Sequence, residues 1–88
     1  MNETKKVIGR TRIIYNNNIY ICDSENNRIL ITDSLDKQLY VFGRRGKDNG
    51  MFNIPVAISV NDNNGNIYIA DNGNHRIQVF DWNIHYLF

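Results

Sequence analysis

IYIADNGNHRIQVFD, residues 67–81, repeats at a distance of 48 residues the stretch IYICDSENNRILITD, residues 19–33, with eight of fifteen positions identical. The identities are Ile19/Ile67, Tyr20/Tyr68, Ile21/Ile69, Asp23/Asp71, Asn26/Asn74, Arg28/Arg76, Ile29/Ile77 and Asp33/Asp81. Beyond them Leu39 falls on Leu87 and Tyr40 on Phe88. A self-similar period of about 20 to 50 residues marks solenoids and propellers, whose units bury their faces against their neighbours.

The texture inside each copy is β. IYIA is a short apolar run rich in Ile and Tyr, as expected of a strand covered on both sheet faces. RIQVF alternates, Ile77 and Val79 against Arg76, Gln78 and Phe80, as expected of a strand nearer the solvent. VAISV sets Val56, Ile58 and Val60 against the small Ala57 and Ser59, and QLYVF sets Leu39 and Val41 against Tyr40 and Phe42. Asn64-Gly65 predicts a tight primed hairpin turn, with Asn16-Asn17-Asn18 a weaker version in the first copy. Each unit is therefore expected to be four antiparallel strands, in the second copy 56–60, 66–71 and 76–81, with the fourth whole only in the first copy at 38–42. Pro55 stands where a strand begins and its missing N–H disturbs the ladder least. Four-stranded sheets at this spacing are propeller blades. The expected organisation is an extension at 1–10, a first blade at 11–42, a connecting loop at 43–55 and a second blade at 56–88 with its last strand cut short.

The loop between the second and third strands carries the concentrated polar chemistry: DSENNR in one copy, DNGNHR in the other. If Asp71 ends one strand and Arg76 begins the next, the two charges face each other across the loop's neck, as do Asp23 and Arg28. Gly73 and Asn74 are the residues expected to accept left-handed backbone there. Duplication favours a structural role for both pairs, since a catalytic constellation is needed once and a corner must be rebuilt in every unit. His75 faces Asn27 in the other copy, so imidazole chemistry is not common to the two.

Composition narrows the remaining classes. One cysteine, Cys22, and two histidines, His75 and His85, cannot supply the usual Cys/His zinc set or a disulfide within the chain, although carboxylates could complete a metal site. With the duplicated corners read as structural, no metal, cofactor or catalytic residue is expected, a metal or general-base role for His75 being the alternative. Cys22 aligns with Ala70 on a buried strand and reads as a small core thiol. A net charge of +1 gives no global field for nucleic acid or membrane. No run approaches the ~18 apolar residues of a membrane span, and MNETKKVIGR has no apolar segment behind its Lys pair. A cytoplasmic setting without membrane contact is the expectation. GRRGK lacks the spacing and the Ser or Thr of a P-loop, and DNNGN has its glycine too early for a calcium loop.

GRRGKDNGMFNIPVAISVNDNNGNIYIADNGNHRIQVFD, residues 43–81, resembles an NHL repeat, the family named after the triplet here Asn74-His75-Arg76 with the aliphatic residue that follows, here Ile77. The likeness extends more loosely over 19–43, where Asn27 replaces the histidine and the Gly-rich lead-in is missing. The resemblance implies an all-β fold of about two antiparallel blades from a propeller that typically has about six. It also implies an interaction module of the kind found in tripartite-motif ubiquitin ligases, where such propellers bind RNA or protein. A purely structural repeat, or a piece of a propeller lyase, are the alternatives.

Two blades do not close a wheel, so the chain is expected to be part of a longer propeller protein, or else to complete a wheel as a homo-oligomer. Strands alternate in direction, which brings the second-to-third-strand loops and GRRGKDNG, residues 43–50, to one rim. Candidate ligand-binding residues there are Arg44, Arg45, Lys47, Asn26, Asn27, Asn74 and His75. Cations suit phosphates; amides and imidazole suit base edges. Tyr15, Tyr20, Tyr68, Phe80 and Trp82 read as packing between blades.

Overall fold

The structure, a computed structural model, describes residues 9–88, residues 9–11 by backbone alone; the rest of the predicted 1–10 extension lies outside the described residues. Seven strands form two antiparallel sheets joined in simple meander order: β1 (Gly9–Tyr15), β2 (Asn18–Asp23), β3 (Arg28–Thr32), β4 (Gln38–Phe42), then β5 (Pro55–Val60), β6 (Ile67–Asp71) and β7 (Arg76–Phe80). The chain is all-β, as expected, and matches partial propeller blades. Strand bounds shift by a residue or two: β1 begins at Gly9, and Pro55 lies inside β5, opposite Asp71, before a bulge.

The repeat is real at the level of register. Asp23 pairs with Arg28 and Asp71 with Arg76; Ile19 pairs with Thr32 and Ile67 with Phe80. The second sheet has three strands rather than four. Where β4 lies in the first sheet, the second has residues 86–88, whose backbone bonds Val79 and makes a single bridge, Phe80 to Tyr86. This is the counterpart of Thr32 with Gln38 in the first sheet.

The hairpins exchange the expected roles. Asn16 and Asn17 both have positive φ, 54° and 66°, and make the two-residue primed turn between β1 and β2. Asn64-Gly65 does not. Only Gly65 is left-handed, and β5 and β6 are joined by a longer loop closed by Gly65 N–H to Asn61 O at 2.8 Å and Asn61 N–H to Asn66 O at 2.9 Å. Two asparagines in sequence tolerate left-handed backbone, and the longer loop needs a glycine at one place only.

The sheets stack face to face around one core. Tyr20, Cys22, Ile29 and Ile31 of the first sheet meet Ile58, Ile67, Ile69 and Phe80 of the second, with Phe52 of the connecting segment fully buried between them. Phe42, Phe52 and Phe80 form a ring cluster, the closest pair being Phe42 and Phe80, edge to face at 5.1 Å. Gly43 is required by this plug: its φ is +94°, and a Cβ there would stand 2.5 Å from the Phe52 ring.

One expectation about faces fails informatively. β7 is not a solvent-side strand: Gln78, Val79 and Phe80 are buried. β6 is buried only on alternate residues, Ile67, Ile69 and Asp71, rather than on both faces. Alternation shows that two faces differ but not which one is covered; here the polar-looking face with Gln78 and Phe80 turns inward, and Ile77 is 58% exposed.

Candidate functional site

Both corners are closed by their acid–arginine pairs. Arg28 Nε donates to Asp23 Oδ2 at 2.6 Å, and Arg76 Nε donates to Asp71 Oδ2 at 2.9 Å. Asp23 and Asp71 are fully buried. A buried carboxylate is costly unless its lone pairs are met, and Asp71's are. Oδ1 accepts the Asn53 backbone N–H at 2.7 Å; Oδ2 also accepts Asn74 Nδ2 at 2.9 Å and Gln78 Nε2 at 3.1 Å. At the first corner Asn26 Nδ2 donates to both Asp23 oxygens at 3.1 and 3.0 Å.

Between the paired residues each corner makes one turn of 3-10 helix, Ser24–Asn26 and Asn72–Asn74. The left-handed residue is the next one, Asn27 (φ 54°) or His75 (φ 55°), not Gly73 or Asn74 as expected. Gly73 answers to space instead: a Cβ would lie 2.5 Å from the Asn53 carbonyl oxygen, which accepts the Gly73 N–H at 2.7 Å.

These corners fasten the segment that connects the sheets. Arg76 Nη2 donates to the carbonyls of Asp48 and Met51, both at 2.9 Å, and Asn74 Nδ2 donates to Gly46 O at 2.8 Å. From the first corner, Ser24 Oγ donates to Pro55 O at 2.6 Å, and Asn27 Oδ1 accepts the Ile54 N–H at 2.7 Å. Gln78 was not singled out by sequence reasoning. Fully buried, it donates to Met51 O at 2.6 Å and accepts the Gly50 N–H at 2.8 Å. Its only sequence signal is a polar residue sharing a strand face with Phe80.

The candidate rim residues thus divide by what they touch. Asn26, Asn27 and Asn74 spend hydrogen bonds on the corners and the connecting segment. Arg44, Arg45, Lys47 and His75 are exposed, and among the described residues none of the four makes a side-chain hydrogen bond or ion pair. Arg45, Gly46, Lys47, Asn53 and Asn74 surround a shallow depression of about 210 Å³.

At the opposite rim, Asp33 and Asp81 show why they recur. Asp33 Oδ1 accepts the N–H groups of Leu35 and Lys37, both at 2.9 Å; Asp81 Oδ1 accepts those of Asn83 at 2.9 Å and His85 at 2.8 Å. The backbone N–H of His85, then its imidazole, hold the Asp81 carboxyl below the usual carboxylate range. Burial pushes the Cys22 thiol up to about 12, so at neutral pH it is a packing group without nucleophilic character. Among the described residues no three His, Cys, Asp or Glu side chains converge as a metal site, and no helix is long and apolar enough to cross a membrane.

No curated protein matches the chain significantly. Residues 52–80 match the NHL repeat family, so that the second sheet, with the Phe52 plug ahead of it, is similar to an NHL repeat.

Proposed function

We propose that the chain is an interaction module of the NHL type that receives an anionic partner, RNA in the first instance, on the rim carrying residues 43–50 and the two clasped corners. One observation carries this reading. The connecting segment is pinned by Asp71, Asn74, Arg76 and Gln78, while the side chains of Arg44, Arg45 and Lys47 on the same segment have no partner among the described residues. A fixed backbone presenting cations unspent on the fold is prepared for phosphate contact at small entropic cost. Such a module belongs in a larger protein of the cytoplasm, and a tripartite-motif ubiquitin ligase is one parent; a RING and B-box region in the same reading frame would support that setting.

The test is titration with labelled single-stranded RNA at rising salt. Three phosphate contacts predict a log–log slope of about −2, hence affinity falling roughly 20-fold between 50 and 200 mM salt. Replacing Arg44, Arg45 and Lys47 by Ala should abolish binding. Binding indifferent to that replacement, or no binding, removes the RNA reading.

A second reading, a structural repeat whose partner is another sheet, is favoured by the free face of the second sheet. Ile77 there is 58% exposed, whereas its counterpart Ile29, covered by the second sheet, is 0% exposed. Ala57 and Ser59 on that face are exposed as well, and Tyr68 and Ala70 are half-buried. A further blade of the same protein, or a second copy of this chain, would bury it as Tyr20, Cys22, Ile29 and Ile31 are buried in the first sheet. Native mass spectrometry separates the two: a discrete trimer supports copies completing a wheel, and a monomer supports blades from the same protein.

A further inference from the structure

The seam between the sheets opens, at the rim opposite the cationic loop, into a cleft of about 450 Å³, within the size range of ligand sites. Its aromatic walls are Tyr15, Tyr20 and Tyr40 from the first sheet and Trp82 from the turn after β7, and Ile31 contributes apolar surface. Tyr15 and Tyr20 meet edge to face at 6.1 Å. Trp82, expected to pack between blades, is instead 66% exposed, and Tyr40 is 57% exposed, so two aromatic surfaces remain uncovered. Gly65 leaves room for Trp82 beside it: a Cβ at this left-handed residue would stand 3.1 Å from Trp82 Cβ.

Of the polar side chains lining the cleft, Asn64 is spent on its own loop, its Oδ1 accepting the Asn66 N–H at 2.9 Å, and the others are not. Among the described residues neither the three tyrosine hydroxyls nor the Trp82 indole N–H makes a hydrogen bond within the chain, and the side-chain amides of Asn16, Asn18 and Asn63 make none either. Tyr20 is the telling member. Only 8% exposed, it lines the cleft with an unpartnered hydroxyl, and burial and then its neighbours Tyr15 and Tyr40 raise its pKa, so the phenol stays neutral and a donor. The hydroxyl itself is not enclosed, so it can donate to an occupant of the cleft.

Charge limits the occupant. Among the described residues no Lys or Arg lines the cleft. The turns on this rim carry Asp33, Asp36, Asp62 and Asp81 against Lys37 and the exposed His85. This charge balance disfavours a polyanion and favours a ligand with positive charge. Aromatic surfaces separated by donors suit a chain that presents carbonyls but few N–H groups. A proline-rich segment in the polyproline II form has this property and loses little entropy on docking.

We propose that this cleft binds a proline-rich, basic peptide segment of a partner protein, its prolines against Tyr40 and Trp82, its carbonyls on the tyrosine and asparagine donors, and its Arg or Lys residues toward the acidic turns. Trp82 is the only tryptophan and reports directly. The full chain is titrated with a synthetic peptide of Pro interspersed with Arg, with a Gly/Ser peptide of equal Arg content, and with a neutral cello-oligosaccharide. The expected result is a saturable blue shift of Trp82 emission with the first peptide alone. Tyr15→Phe, which keeps the ring and loses the hydroxyl, should weaken binding about fivefold, and Tyr40→Ala, at an exposed strand position, about tenfold or more, with the far-ultraviolet circular dichroism of both unchanged. Arg44→Ala should bind the peptide as the parent does, which separates this site from the cationic rim. Equal binding of the Gly/Ser peptide, saturation by the sugar instead, parent-like affinity in Tyr15→Phe, or no shift at millimolar peptide would each overturn the proposal.

Discussion

Asp71→Ala is the substitution that bears hardest on the clasp. The fully buried carboxylate accepts four hydrogen bonds, from the Asn53 backbone and from Asn74, Arg76 and Gln78. Removing it strands the Arg76 guanidinium, whose side chain is 26% exposed, and the Gln78 amide beneath it. Breaking a buried pair by deleting one partner costs about 3 to 5 kcal/mol, and hydrogen bonds to a charged acceptor contribute about 1.5 to 3 kcal/mol each. These are not additive. Part of the Arg76 interaction also returns to water, because that side chain is not fully enclosed, so a loss of about 3 to 4 kcal/mol is expected. A domain of this size has a total of roughly 4 to 13 kcal/mol, so the variant should be near its unfolding transition at room temperature. Urea denaturation followed by circular dichroism gives the number, and Arg76→Ala with the double variant completes a cycle whose coupling should exceed about 1.5 kcal/mol. A loss under about 1 kcal/mol, or additive single effects, would refute a structural clasp.

Gly43→Ala should lose about 1 to 3 kcal/mol, because it combines left-handed backbone with a clash on the Phe52 ring; parent-like denaturation would show that the plug can move aside. Phe52→Ala should lose about 3 to 5 kcal/mol by opening the centre of the core. Cys22, with its thiol at about 12 and no exposed surface, should react with an aromatic disulfide reagent at pH 8 only as fast as the chain unfolds; rapid labelling of native protein would contradict its place in the core. Asp81 titrates below the usual carboxylate range in the folded chain, so its contribution to stability is fully present above the unfolded carboxylate value and is lost as pH falls through the depressed one. Carboxyl carbon chemical shifts against pH check the direction.

Much of this architecture could be read from residues alone because it is written twice. The 48-residue shift superposes Asp23 on Asp71 and Arg28 on Arg76, and a pair that recurs with strand-like runs on either side describes a corner. What sequence left open depends on contacts distant in the chain. Gln78 is buried because Gly50 and Met51, some 27 residues earlier, supply its partners, and no local pattern contains that. Left-handed backbone fell on Asn27 and His75 because the 3-10 turn places its cap there; Gly73 is small for packing against Asn53. Asp33 and Asp81 were visible as identities without a role, since their partners are backbone N–H groups that carry no sequence signature. Trp82 was misread as packing because the turn after β7 carries it out of the interface.

The account rests on the second sheet lying against the first through Phe42, Phe52 and Phe80. A nuclear Overhauser spectrum of the isotopically labelled chain tests this most directly. Ring protons of Phe42 and Phe80, whose centroids are 5.1 Å apart, should give strong cross-peaks with each other, and both should see Phe52. Intact ladders within β1–β4 and β5–β7 with no cross-peak between Phe42 and Phe80 would mean two independent sheets, and would contradict the stacked-blade structure.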